Sequence, residues 1–241
     1  MADPDNKFPY KRLLLKISGE ALAGQEKHGF QVKIIDQIAE QIKRIHELGL
    51  EVGLVIGAGN IFRGALGESL GLKRFVGDQM GMLATVINSL AFQDVLAKKG
   101  LPARVMTALK IQEVAEPYYI PQALEYLQEK QVLIIAGGTG NPFFTTDTAA
   151  SLRAIELEAD LLLKATRVDG VFSGDPEKDD QAQKIDQISY LEVIKRGLKV
   201  MDLTAISLCQ DNNLPIMVFD LFKKESLLKI VSGQKIGTKI C

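Results

Sequence analysis

Leu13-Leu14-Leu15-Lys16-Ile17 runs directly into Ser18-Gly19-Glu20. An almost wholly apolar run of this length reads as a strand buried on both faces. The small residues after it mark a turn. The same unit recurs along the chain. Residues 52–56 run into Gly57-Ala58-Gly59-Asn60, with Arg63-Gly64 shortly after. Residues 103–107 form another apolar run. Residues 132–136 run into Gly137-Gly138-Thr139-Gly140-Asn141-Pro142, and 161–164 into Ala165-Thr166. Residues 215–219 are the last such run.

Helical periodicity fills the gaps between these strands. Ile34, Ile38, Ile42, Ile45 and Leu48 recur every three or four residues, and Gly49 closes the pattern. Leu83, Val86, Ile87, Leu90 and Ala91 mark a helix that ends near Gly100. Ala123, Leu124 and Leu127 mark a short one. Further helices are expected over 146–158, 190–196, 201–212 and 223–231. Strands alternating with helices predict an α/β fold: a three-layer αβα sandwich around a mainly parallel sheet. The polar stretch 175–187 reads as a surface loop, and no linker interrupts the pattern. One domain over 11–241 is expected, preceded by a loosely ordered or disordered segment, 1–10.

Composition narrows the function. The 241 residues are 46% hydrophobic and 24% charged, an ordinary globular balance. With 29 basic and 30 acidic residues the formal net charge is −1, so no nucleic-acid or anionic-membrane surface is expected. Any bound phosphate must be held by a local site. The longest apolar runs fall far short of the ~20 residues a membrane span needs. Residues 1–11 carry no apolar signal-peptide core, so a cytoplasmic enzyme is expected. Cys209 and Cys241, with His28 and His46, form no disulfide framework and no zinc signature, and no protein metal site is expected.

In parallel sheets ligands bind beyond the carboxyl ends of the strands. Those ends here carry glycine loops and two lysines, Lys16 and Lys164. Glycine lets backbone N–H groups approach phosphate oxygens, and a helix N-terminus adds a favourable dipole. Each feature also has a plainer explanation: a tight turn, a snorkelling lysine, or, for Asp147, a first-turn acid in a helix. Their combination points to phosphate chemistry. Phosphoryl transfer needs alignment and positive charge rather than covalent catalysis. Lys16 and Lys164 could supply the charge, and Asp147 could hold them together. No G-x-x-x-x-G-K-[ST] loop, complete dinucleotide fingerprint or G-x-S-x-G elbow is present.

Four segments carry a family resemblance. They are Lys16-Ile17-Ser18-Gly19-Glu20-Ala21-Leu22, Gly77-Asp78-Gln79-Met80-Gly81-Met82-Leu83-Ala84-Thr85, Gly138-Thr139-Gly140-Asn141-Pro142-Phe143-Phe144-Thr145-Thr146-Asp147, and Lys164-Ala165-Thr166-Arg167-Val168-Asp169-Gly170-Val171-Phe172. Through them the chain resembles the bacterial UMP kinases, of the amino-acid-kinase fold, over nearly its whole length. The resemblance implies transfer of a phosphoryl group from ATP to UMP, with Mg²⁺ held mainly by the ATP phosphates. It implies that Lys16, Asp147 and Lys164 are catalytic. Lys16, Ile17, Ser18, Gly19, Gly59 and Arg63 would meet the ATP phosphates, and Thr166, Phe172 and Asp175 its nucleoside end. Ala58, Asp78, Thr139, Gly140, Asn141, Pro142, Phe143, Phe144, Thr145 and Thr146 would hold UMP. An ionised Asp78 could accept both ribose hydroxyls; it could equally cap a helix that starts near Met82. Asp202 falls in a matching segment, where helix capping also explains it. A homohexamer activated by GTP and inhibited by UTP is implied too, with Gly24, Gln25, Glu26, Lys27, His28 and Gly29 as the activation segment.

Two positions depart from the family pattern. Ala58 stands where the family has glycine, and its methyl would crowd a phosphate contact only if its φ were positive. Gly174 replaces an alanine before Asp175-Pro176. Two other functions share these features. A same-fold kinase for a carboxylate or carbamate would not need Asp78 for ribose. A nucleotide sensor without turnover would not need Lys16 and Lys164.

Overall fold

The computed structural model describes residues 8–26, 28–62, 67, 69–174 and 181–241. Arg63, Asp175 and Lys27, all expected site residues, lie outside the described residues. Of the segment 1–10, residues 8–10 are described, and Phe8 and Tyr10 rest against the core.

The opening run forms β1 (Arg12–Ile17), buried along its whole length. Parallel strands flank it on both sides: β2 (Glu51–Ile56) and β6 (Leu161–Thr166). Beyond β2 lie β5 (Val132–Ala136), β3 (Ala103–Thr107) and the short β4 (Glu116–Pro117). Beyond β6 lie β10 (Ile216–Asp220), β11 (Thr238–Ile240) and β9 (Gln187–Ile188). In this nine-stranded sheet only β10 and β11 pair antiparallel among the described residues. A separate hairpin joins β7 (Val171–Phe172) to β8 (Lys184–Ile185).

Strand alternation splits the core in two. Leu13, Leu15 and Ile17 face one side and pack with α2 (Val32–Glu47), α3 (Arg74–Lys98) and α8 (Ser226–Val231). Leu14 faces the other side, where α4 (Ile120–Gln128), α5 (Thr146–Glu156) and α7 (Leu203–Asp211) pack with Leu162. Two short helices, α1 (Gly19–Ala23) and α6 (Tyr190–Lys195), complete the layers. The expected three-layer sandwich is therefore present.

The chain order leaves β1 toward β2 on one side and continues through β6 and β10 on the other. The sheet's topological switch point thus lies between β1 and β6, the place where such sheets bind ligands.

Three expectations change. The helix near Met82 begins at Arg74, so Asp78 lies inside its first turns and is not its cap. The same helix is long and apolar enough to cross a membrane by length and composition. It lies instead beside β3 and β5, with Ala84, Val86, Phe92 and Leu96 buried. The polar stretch 175–187 is not all loop, because β8 and the start of β9 fall within it.

Candidate active site

Lys16 and Lys164 are Cα partners in adjacent parallel strands. Partners in register point to the same face, so both ammonium groups emerge side by side beneath α5. Lys16 is only 6% exposed. Two neighbouring buried cations repel, and the sequence answers with Asp147 in the first turn of α5. Its Oδ1 lies 2.8 Å from Lys16 Nζ. Its Oδ2 accepts a hydrogen bond from Lys164 Nζ. At that separation the ammonium and the buried Oδ1 form a close ion pair. The expected triad is assembled, two cations around one anion.

Burial opposes ionisation of Asp147, but Lys16 and then Lys164 outweigh it, and the carboxyl titrates below its ordinary value. Lys164 is pushed down, first by burial and then by the Lys16 charge, which Asp147 offsets only in part. The cluster carries excess positive charge in a poorly solvated place, which suits it to stabilising charge that develops on a phosphoryl group.

Helix α5 starts where it does because Thr145 caps it, its Oγ1 accepting from Asp147 N at 3.1 Å and Thr148 N at 3.2 Å. Asp202 caps α7 by accepting from Ala205 N at 3.0 Å. The same carboxylate accepts from Thr145 Oγ1 and, at 2.8 Å, from Thr148 Oγ1. Capping is thus half of its role; the other half docks the start of α7 onto the start of α5, next to the lysines.

The glycine loops after β1 and β2 press on each other. A Cβ on Gly19 would fall 2.5 Å from Asn60 Oδ1 and 2.6 Å from the Gly57 carbonyl oxygen, so only glycine fits. Asn60 and Asn88, both fully buried, exchange amide hydrogen bonds at 3.0 and 2.8 Å, and Asn88 Nδ2 donates to Gly57 O at 2.6 Å. Ser18 accepts from Ala21 N at 3.3 Å and starts α1. Ala58 is not among the residues with positive φ, so its methyl strains nothing.

The loop after β5 turns away from the strand through Gly137, at φ +77, where a Cβ would meet Thr107 Oγ1 at 2.9 Å. Gly137 N donates to Thr85 Oγ1 at 2.8 Å. Farther along, Phe143 has φ +73, unusual for a bulky residue. Asp78 Oδ2 holds it there by accepting from Phe143 N at 2.8 Å, while Arg74 Nε donates to both Asp78 oxygens at 3.0 Å. Phe143 is 65% exposed and Phe144 50%.

Two cavities adjoin the segments that carry the triad, one reaching Thr146, next to Asp147, and the other starting at Thr166, two residues after Lys164. One, of 110 Å³, is bordered by Ala58, Asp78, Thr139, Asn141, Phe144, Thr145 and Thr146. It gathers most of the residues expected to hold the acceptor; Gly140, Pro142 and Phe143 belong to the same loop outside its lining. The other, of 570 Å³, lies past the end of β6 and is walled by Thr166, Phe172 and Gly174 with residues 196–200. Arg196 to Val200 were not anticipated, and their mixed character gave no signal. Arg153 was also missed. It is buried on α5 at helical spacing from Ala150 and Leu157, and a charged residue on that apolar face was the available clue.

Gly24 and Gly29 bond to the loops that follow β6 and β2. Arg167, just past β6, donates to Gly24 O at 2.7 Å and Glu20 O at 3.1 Å. Gly29 N donates to Asn60 O at 2.9 Å, and Asn60 Nδ2 donates back to Gly29 O at 3.0 Å.

Comparison with known proteins gives a consistent picture. Residues 11–220 match the amino acid kinase family. The chain is 54% identical to the uridylate kinase of Bacteroides thetaiotaomicron over 231 residues, covering 96% of this chain and 98% of that one. It superposes on the crystal structure of UMP kinase from Bacillus anthracis with a TM-score of 0.94 at 42% identity, covering 96% of each chain. The UMP kinase of Ureaplasma parvum superposes with a TM-score of 0.90 at 34% identity, covering 95% of this chain and 98% of that one.

Proposed function

The chain belongs to the amino acid kinase family, and on that footing we propose that it phosphorylates UMP to UDP in pyrimidine nucleotide synthesis, with ATP as donor. The observation that carries this reading is Asp147 clamping Lys16 and Lys164 together on adjacent strands at the sheet's switch point. UMP takes the smaller cavity, with its ribose on Asp78, and the adenosine of ATP takes the larger one beside Thr166 and Phe172.

A UMP phosphate oxygen attacks the terminal phosphorus of ATP in line. The bond to the bridging oxygen breaks, and ADP leaves with its electron pair. Lys16 and Lys164 offset the charge that accumulates on the moving group. Asp147 keeps both ammonium groups aimed at that point. The loops at Ser18-Gly19 and Gly59 receive the donor phosphates through backbone N–H groups. Among the described residues no group of three or more His, Cys, Asp or Glu is placed to hold a metal. A Mg²⁺ carried mainly by the ATP phosphates would neutralise phosphate charge there.

The finer properties belong to the same proposal: one kinase domain over 11–241 in the cytoplasm, assembled as a homohexamer, activated by GTP and inhibited by UTP. Met80, Leu83 and Ile87 are exposed and share one face of α3, which supports assembly through that helix. The bonds from Gly24 and Gly29 to the loops after β6 and β2 support a regulatory role for that segment.

A coupled assay of ADP release across UMP, CMP, AMP, GMP and small carboxylates tests the reading. UMP is expected to be the best acceptor. No turnover with UMP, or faster turnover of a carboxylate, would overturn it.

A further inference from the structure

Arg153 is 4% exposed, and its partners are unusual for a buried cation. One guanidinium nitrogen, Nη1, donates to Glu156 Oε2 at 2.7 Å. The other, Nη2, donates to the Gly138 carbonyl oxygen at 3.1 Å. The guanidinium carbon sits 4.2 Å from the centre of the Tyr118 ring. Tyr118 OH in turn donates to Glu156 Oε2 at 2.9 Å. Arg153 Nε is buried and has no hydrogen-bond partner among the described residues.

Burying a guanidinium with an orphaned N–H is costly, and an apolar side chain of similar size would pack at less expense. Core packing alone therefore does not account for it. What the arrangement provides is direction. The planar fork is held by a stacked ring on one face and a carboxylate at one end, so its free end points at a single acceptor. That acceptor is Gly138 O, in the left-handed turn that opens the Thr139–Thr146 loop, with φ +60 at Gly138.

The loop is thus anchored at four places. Thr85 holds Gly137, Arg153 holds Gly138, Asp78 holds Phe143, and Thr145 caps α5. Arg153 is the anchor that ties the loop's beginning to the helix at its end. That helix also carries Asp147. Acceptor loop and triad are therefore referenced to one rigid element.

We infer that Arg153, oriented by Tyr118 and Glu156, is a positioning residue that sets the acceptor loop against the Lys16–Asp147–Lys164 triad. This rests on the acceptor reading of that loop given above. Arg153 touches no reacting atom in this scheme and acts through Gly138.

Arg153→Lys keeps the charge but loses the planar fork. It is expected to raise KM for UMP about tenfold, the loss of one charge-assisted hydrogen bond, while KM for ATP stays within about twofold. Hydrogen exchange in the peptide covering residues 137–146 should quicken, with exchange in β1 and β6 unchanged. Glu156→Gln, which neutralises the partner and keeps its shape, should shift the same two readouts in the same direction by less. It also serves if the lysine variant fails to fold. Equal rises in both KM values, or a lower melting temperature with unchanged loop exchange, would overturn the inference. Should the wild type prove inactive on UMP, the acceptor reading fails by itself, and loop exchange still decides whether Arg153 anchors the loop.

Discussion

Replacing Asp147 with Asn removes one negative charge from between two buried ammonium groups and leaves the side chain's size unchanged. Lys16 and Lys164 then face each other on adjacent strands without their shared counter-ion, and only the smaller attraction of Asp202 remains for Lys164. Removing one partner of a buried ion pair costs about 3–5 kcal/mol. Proton release sets a ceiling on that figure. A lysine with reference value 10.5 can shed its proton at a cost of about 1.4 kcal/mol for each pH unit below it. The ceiling is therefore about 5 kcal/mol at pH 7 and about 2 kcal/mol at pH 9. Lys164 is the group to yield, since burial and Lys16 already push it down.

The sign follows from proton counting. A lysine depressed in the folded state binds fewer protons there than in the unfolded chain, so stability rises with pH. Both proteins gain, and the variant gains more because its lysine is depressed further. Asp147 itself does not disturb this window. Its lowered carboxyl contributes stability that is present above the reference 3.8 and lost only as pH falls through the lower folded value. Urea unfolding of both proteins at pH 7, 8 and 9 measures the difference. The gap is expected to shrink from about 3–5 kcal/mol at pH 7 toward about 2 kcal/mol at pH 9. A gap that stays constant or widens with pH would refute the claim that Asp147 holds two charged lysines.

Two further outcomes can be checked directly. Lys16→Ala should lower kcat about 10²–10³-fold with KM for UMP little changed, because its charge acts on the transferring group; steady-state kinetics that show only a raised KM would make it a ground-state binding residue. Ala58→Gly should leave kcat and both KM values within about twofold and lower stability by about 0.4–1 kcal/mol through added freedom of the unfolded chain, which calorimetry would read as a melting temperature about 1–4 °C lower.

Much of this molecule was legible in its sequence, and the reason is local. Strands such as Leu13 to Ile17 are buried on both faces and must be apolar almost throughout, so the parallel sheet shows as continuous runs. Helix α2 shows its period because one stripe of it meets the core. Lys16 and Lys164 stood out because a charge at the end of an apolar strand needs a partner. The strands β4, β7, β8, β9 and β11 are two or three residues long and carry no periodicity. Helix α3 opens without a side-chain cap, so nothing local marked its start at Arg74 and Asp78 was open to a capping role.

The sequence by itself determined which chemical groups are present at the strand ends, since strand burial and turn chemistry are written in neighbouring residues. Tertiary structure decided how those groups meet. Register between β1 and β6 sets Lys16 beside Lys164, a relation between residues 148 apart in the chain that no window of sequence contains. Packing of α5 over that pair turns a first-turn acid into their shared counter-ion. Docking of α7 on α5 gives Asp202 its second task, and burial of Arg153 against Tyr118 aims it at Gly138. These are contacts between distant segments, fixed by sheet order and helix packing, and they exist only once the whole core has closed.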